Sequence, residues 1–150
     1  MKFLIQRTRS SAVHIAGELV GETTRPGMLI LVGISPQDGD DDIHYLIKKA
    51  IQLRIFPDEA GVMNRSLLDV EGEVLLVSQF TLMAQTKKGN RPSYIEAAPP
   101  AMALPLYERL IGQMEEALGR PIATGRFGAD MQVSLVNDGP VTILLDSHHR

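Results

Sequence analysis

Two short passages of this chain place polar groups where an apolar strand holds them only at a cost. In the first, Val74-Leu75-Leu76-Val77 runs directly into Ser78-Gln79-Phe80-Thr81 within the run from Glu73 to Leu82. Two hydroxyls and a carboxamide on a buried strand must either be hydrogen-bonded or line a cavity. Two readings are open here: Ser78 and Thr81 bond neighbouring backbone, or they line a cavity. The second passage is Asn137-Asp138-Gly139-Pro140. Its local chemistry is that of a turn, since Asp-Gly favours positive φ and Pro opens an edge strand. On sequence alone, a cis Gly139-Pro140 bond carries only the base rate of about 5–6%.

The rest of the chemical inventory is thin. There is no cysteine, which removes thiolate nucleophiles, Cys-ligated zinc and disulfide scaffolds. His14 lies in an expected strand, His44 on an expected helix, and His148-His149 in the C-terminal tail, none with a partner at zinc or triad spacing. Surface or structural roles are expected for all four. The acidic run Asp38, Asp40, Asp41, Asp42 lacks the glycine and distal glutamate of a calcium loop. It precedes Ile43, Leu46, Ile47, Ala50 and Ile51, an amphipathic stripe, so helix capping or a solvated loop is the expected role. Lys87, Lys88 and Arg91 form the one compact basic cluster. It is read either as an exposed loop or as a contact to phosphates.

These residues must be positioned by elements that the pattern outlines. Residues 2–9 and 11–16 are expected as two short strands of an antiparallel meander, with a turn at Ala16-Gly17-Glu18 leading into Leu19-Val20. Met28 to Val32 is an uninterrupted apolar run of strand length, expected to be covered on both faces. A helix follows the acidic run. A second is expected over Pro100–Leu118, with Leu104, Tyr107, Ile111, Met114 and Leu118 on one face and Gly119 then Pro121 as its stop. Pro105 either kinks it or marks its true first turn. Gly61 sits in an expected hairpin turn, and Met131–Val136 and Val141–Leu145 are expected as two strands joined by residues 137–140. Many strands with two helices point to α+β.

Composition narrows the function classes. The 150 residues, 44% hydrophobic and 22% charged, suit one globular domain spanning 1–150. A formal net charge of −3 argues against coating long nucleic acid, which rests on many Lys and Arg contacts, but allows contact with a short single-stranded end. The apolar stretch after Met1-Lys2 is too short for a secretory signal, and no run approaches the ~20 residues of a membrane span. A cytoplasmic protein with no membrane association is expected.

Ser78-Gln79-Phe80-Thr81-Leu82 and Asn137-Asp138-Gly139-Pro140-Val141-Thr142 resemble the two signature motifs of the D-aminoacyl-tRNA deacylase family. The likeness extends through Gln6-Arg7, Arg54-Ile55-Phe56, Arg91-Pro92-Ser93, Thr124-Gly125-Arg126-Phe127 and the run from Met131 to Val136. Tyr94 stands where the family often has Phe. The fold this implies is α+β, with antiparallel and mixed β-sheets packed as a barrel-like sandwich and two main helices on one face. The resemblance also implies a homodimer with active sites at the interface. In it, Gly139 and Pro140 form a cis peptide that enters the partner's pocket and aims carbonyls at the α-ammonium of the substrate. Arg7 would hold that loop with its planar fork. The substrate would be the aminoacylated 3′ end of tRNA carrying a D-amino acid, or glycine mischarged on tRNA-Ala, with no cofactor and no metal.

For the reaction, Ser78, Gln79, Phe80 and Thr81 are the catalytic candidates. Backbone amides near Gln79 and Phe80 would stabilise the oxyanion. Thr81 as a covalent nucleophile would need a base that the sequence does not offer, so attack by water assisted by the 2′-hydroxyl of the terminal adenosine is the preferred route. Phe127 and Met131 are candidate walls for the adenine, with core roles as the alternative. The rival functions are a non-catalytic nucleic-acid-binding dimer of the same fold and a threonine-nucleophile esterase.

Overall fold

The computed structural model describes residues 1–150. A long first strand, β1 (Lys2–Ile15), is the backbone of the architecture. It pairs antiparallel with β2 (Glu18–Thr23), with β3 (Gly27–Gly33) and with the last strand, β8 (Gln132–Asp146). β3 then pairs in parallel with β6 (Glu73–Ser78), and β6 with the short β7 (Ala123–Thr124). The path β2-β1-β3-β6-β7 curls until its ends nearly meet, because Gly21 on β2 lies so close to β7 that a Cβ there would collide with the Thr124 carbonyl oxygen. The result is a mixed sheet nearly closed as a barrel. β4 (Phe56–Pro57) and β5 (Met63–Arg65) form a separate hairpin around Gly61, whose φ is +77°.

Three expectations about strands are corrected. Residues 2–9 and 11–16 are one strand, not two, because nothing at Ser10 forces a turn and the bend is absorbed by irregular register near Thr8 and between Val13 and His14. Residues 131–136 and 141–145 are likewise not separated by a hairpin turn: both halves of β8 run the same way along β1. Residues 73–82 do not form one strand, since β6 ends at Ser78 and Phe80–Met83 is a 3-10 helix.

Two helices cover one face of the sheet. In α1 (Asp40–Gln52), the Asp42 carboxylate accepts the Gly39 N–H at 2.8 Å, and Asp40 and Asp41 complete an acidic first turn. This is the capping role expected of the run. Asp38 departs from it. Its carboxylate is buried and accepts the Met1 ammonium at 2.5 Å and the Ser35 N–H at 2.6 Å. α2 (Pro100–Leu118) begins with Pro100 at N1 and ends at Gly119, φ +68°, with Arg120 N–H bonded to Glu115 O and Gly119 N–H to Glu116 O. Pro105 therefore lies inside the helix and does not mark its start; it only deprives the exposed Ala101 carbonyl of a donor. The buried face is Ala103, Leu106, Tyr107, Leu110, Met114 and Leu118, so Leu104 faces outward and Ile111 lies at the edge. These side chains meet Ile43, Leu46, Ile47 and Ala50 of α1 and Phe3, Ile5, Met28 and Ile30 of the sheet in the main core. A smaller core of Val13, Leu29, Leu75 and Val77 fills the barrel interior. Each fully buried aliphatic side chain contributes about 1.5–3 kcal/mol over exposure.

Candidate active site

A cleft of about 600 Å³ opens where β6 ends. Its floor is Val32, Ile34 and Val77, and its walls come from Phe127 and Met131 on one side and the Tyr94 loop with the α2 start on the other. Ser78, Gln79 and Phe80 line it directly. The chain changes direction here because Gln79 N–H closes onto the Val32 carbonyl at 2.7 Å, ending the parallel ladder and starting the 3-10 turn. That bond removes the Gln79 amide as an oxyanion donor. The Phe80 and Thr81 amides follow at the start of the 3-10 helix, where no preceding turn supplies an acceptor, and neither has a partner within the chain. Of the two, only the Phe80 amide belongs to a residue that lines the cleft, and a free amide there suits a developing negative charge.

Thr81 is held differently. Its Oγ1 accepts from the Gln79 carboxamide at 2.5 Å, and it does not line the cleft. Phe80 is 58% exposed and meets Tyr94 edge to face, ring centroids 5.0 Å apart. Behind Phe127 stands Tyr107, with ring centroids 5.8 Å apart; its hydroxyl donates to the Leu76 carbonyl at 2.9 Å, and burial pushes its pKa well above the ordinary range. Tyr107 thus ties α2 to β6 just before the polar residues begin.

Gly139 and Pro140 lie elsewhere. The Gly139-Pro140 peptide is cis, both residues are exposed, and neither lines the cleft of its own chain. Gln6 stands opposite Thr142 and Thr8 opposite Asn137, so residues 138–141 form an excursion from β8 facing Arg7. The nearly buried Arg7 donates through Nε to the Asp138 carbonyl at 2.8 Å and through Nη1 to the Ile55 carbonyl at 2.5 Å. The guanidinium joins the root of the excursion to the segment before β4.

Ser78, Gln79, Phe80, Phe127 and Met131 are therefore gathered at one cleft, whereas Thr81, Arg7, Gly139 and Pro140 are not among its lining residues. Lys87, Lys88 and Arg91 lie on an exposed loop closed by the Gln85–Ser93 bridge, one residue before Tyr94. Sequence reading gave Tyr94, Pro99 and Pro100 no role in the site. The available signal was an aromatic residue at the end of a loop carrying Lys87, Lys88, Gly89 and Arg91, the setting where binding groups concentrate. It also missed that His148 Nε2 lies 2.6 Å from the buried Asp38 carboxylate, with Asp42 close by. No helix is long and apolar enough to cross a membrane.

The fold class is that of a solved structure named "c-Myc DNA Unwinding Element Binding Protein", with a TM-score of 0.91 and 36% identity, covering 97% of this chain and 98% of that one. A structure described as a probable eukaryotic D-amino acid tRNA deacylase shares the fold at a TM-score of 0.81 and 16% identity, covering 96% and 97%. At the sequence level, the family model described as D-Tyr-tRNA(Tyr) deacylase matches residues 4–146. A protein of Chromobacterium violaceum named D-aminoacyl-tRNA deacylase is 57% identical over 149 residues, 99% of each chain. One of the same name from Bacteroides thetaiotaomicron is 54% identical over 150 residues, 100% of this chain and 99% of that one. The chain belongs to the D-Tyr-tRNA(Tyr) deacylase family, a family of ester hydrolases.

Proposed function

We propose that this protein hydrolyses the ester between a D-amino acid and the 3′-terminal ribose of tRNA, as a cytoplasmic homodimer in which each cleft is completed by the Gly139-Pro140 tip of the other subunit. The observation that carries this reading is the separation of the two motifs. The tip is exposed and anchored by Arg7, yet it contributes nothing to its own chain's cleft. A second copy is the source that supplies it.

In the assembled site, tip carbonyls accept from the substrate's α-ammonium while the Phe80 amide faces the ester carbonyl. With ammonium, carbonyl and Cα hydrogen held, the side chain has one direction left, and an L-residue would collide with main chain. Because backbone reads the substrate, side-chain identity matters little. Glycine has nothing to collide, so glycyl-tRNA is also cleaved, including glycine mischarged on tRNA-Ala. Water, assisted by the 2′-hydroxyl of the terminal adenosine, adds to the ester carbon. The oxyanion is stabilised by the Phe80 amide, and collapse breaks the ester C–O bond and releases the ribose 3′-oxygen, which takes up the proton that the attacking water gave up by way of the 2′-hydroxyl. Thr81 is not the nucleophile, since its partner Gln79 is an amide donor that cannot take a proton. The adenine stacks against the wall of Phe127 and Met131, and Lys87, Lys88 and Arg91 meet acceptor-arm phosphates.

The test is ester loss from D-tyrosyl-, L-tyrosyl- and glycyl-tRNA with purified protein. D-tyrosyl and glycyl esters should be cleaved and the L-tyrosyl ester spared; equal D and L rates would sink the chiral reading. A second reading, a non-catalytic nucleic-acid-binding dimer, is motivated by the 36% identical structure, whose name is that of a DNA-element binding protein. Ester loss no faster than without protein would favour it.

A further inference from the structure

The excursion 138–141 is held on one side by Arg7 and on the other by a separate cluster of amides and a hydroxyl. Asn137 spans its root. The Asn137 Oδ1 accepts the Val141 N–H at 2.9 Å, and its Nδ2 donates to Gln6 Oε1 and reaches Thr142 Oγ1 at 3.5 Å. Thr142 Oγ1 in turn donates to the same Gln6 oxygen at 2.5 Å. One carboxamide thus ties together Asn137, which leaves the β1 ladder, Thr142, which rejoins it, and Gln6, the β1 residue opposite Thr142. Outside the ladder, Asp138 is flanked by Arg9, whose Nε lies 3.1 Å from its carboxylate.

A bulge leaves its extra residues without ladder partners, and the chain around it is free to shift unless something else fixes it. Here the ladder gives no bond across residues 138–141, and the Gln6–Asn137–Thr142 cluster takes its place. We propose that Asn137, Gln6 and Thr142 are positioning residues that set the height of the Gly139-Pro140 tip, and through it the discrimination between enantiomers. This rests on the reading that the tip enters a second subunit's cleft. None of the three touches the substrate. Their effect is through the tip, where a misplacement of about 1 Å can cost on the order of 10²-fold in rate.

The measurement is the ratio of D-tyrosyl- to L-tyrosyl-tRNA deacylation, each at limiting substrate. This ratio does not depend on how much of a preparation is folded or dimeric. T142V keeps the side chain's size at an exposed position and removes the hydroxyl; it should lower the ratio about tenfold, while T142S stays within about twofold of the parent. N137A, which releases both ends of the root, should lower it further. If T142V and N137A keep the parent ratio while their total rates fall, the cluster serves folding alone and the positioning role is overturned. A parent protein without D preference would instead overturn the reading beneath it.

Discussion

At the scale of single residues, Thr81 and Arg7 separate chemistry from support. Thr81 Oγ1 is engaged by the Gln79 carboxamide and lies outside the cleft lining. Thr81→Ala should therefore leave single-turnover deacylation of D-tyrosyl-tRNA within about tenfold of the parent rate, since only a neutral hydrogen bond is lost. Near-complete loss, together with an acyl-enzyme trapped on the parent protein, would make Thr81 the nucleophile. Arg7 is different, because it satisfies the Asp138 and Ile55 carbonyls at once from one planar group. A lysine has no fork and leaves one carbonyl unpaired, so Arg7→Lys should cost about 1–3 kcal/mol. The loss would appear as a lower urea midpoint with an accompanying fall in D-tyrosyl-tRNA deacylation; an unchanged midpoint would show that the fork is dispensable.

At the scale of elements, the barrel seam depends on a residue with no side chain. A Cβ at Gly21 would collide with the Thr124 carbonyl oxygen, a main-chain atom that cannot step aside alone. Gly21→Val should force β2 and β7 apart at a cost of about 1–3 kcal/mol, read as a lower Tm in calorimetry. Gly112 in α2 is the control, because nothing lies within 4 Å of a Cβ there and its helical backbone suits any residue. Gly112→Ala should raise stability by about 0.4–1 kcal/mol. An unchanged or higher Tm for Gly21→Val would show that the seam is not closed by this approach. The strand path itself was only partly legible. The apolar run at Met28–Val32 and the amphipathic stripe beginning at Ile43 are written in periodicity. By contrast, the unbroken course of β1 through Ser10 and of β8 through Gly139-Pro140 comes from pairing with distant strands, which local turn propensity does not record.

At the scale of the whole molecule, the last strand, which carries Gly139-Pro140, exposes Leu135, Val136 and Leu144, with Leu144 57% exposed. Exposed apolar side chains on an edge strand are an association hazard unless covered. Sedimentation should give twice the chain mass at micromolar concentration, and activity per subunit should fall when dilution dissociates the dimer. A fully active monomer would contradict the shared site. Stability against pH follows from a set of carboxylates whose pKa values are lowered. Asp58 is held below its ordinary 3.8 by the Val62 and then the Ala60 N–H groups, and Asp69 by the Ser66 N–H. For Glu73, burial opposes ionisation, but the Arg25 and Thr24 N–H groups and the Arg25 guanidinium together bring it below its ordinary 4.5. A depressed folded-state value gives stability that is complete above the unfolded value and is lost as pH falls through the folded one. Tm should therefore be insensitive to these groups down to about pH 5 and decline below about pH 4.5. A Tm that rose on acidification through that window would contradict these assignments.

The order of residues alone determined the fold class, the two helices, the core strand at Met28–Val32 and, through paired motifs, the family. Each of these rests on local periodicity or on residues adjacent in the chain. Only the folded molecule decided that the Phe80 amide is free while the Gln79 amide is engaged, that Tyr94 lines the cleft, that Asp38 is buried, and that Gly139-Pro140 does not line its own chain's cleft. Those outcomes depend on which distant groups approach one another: a hydrogen bond or a cleft wall is a property of proximity in space, and spacing along the chain does not encode it.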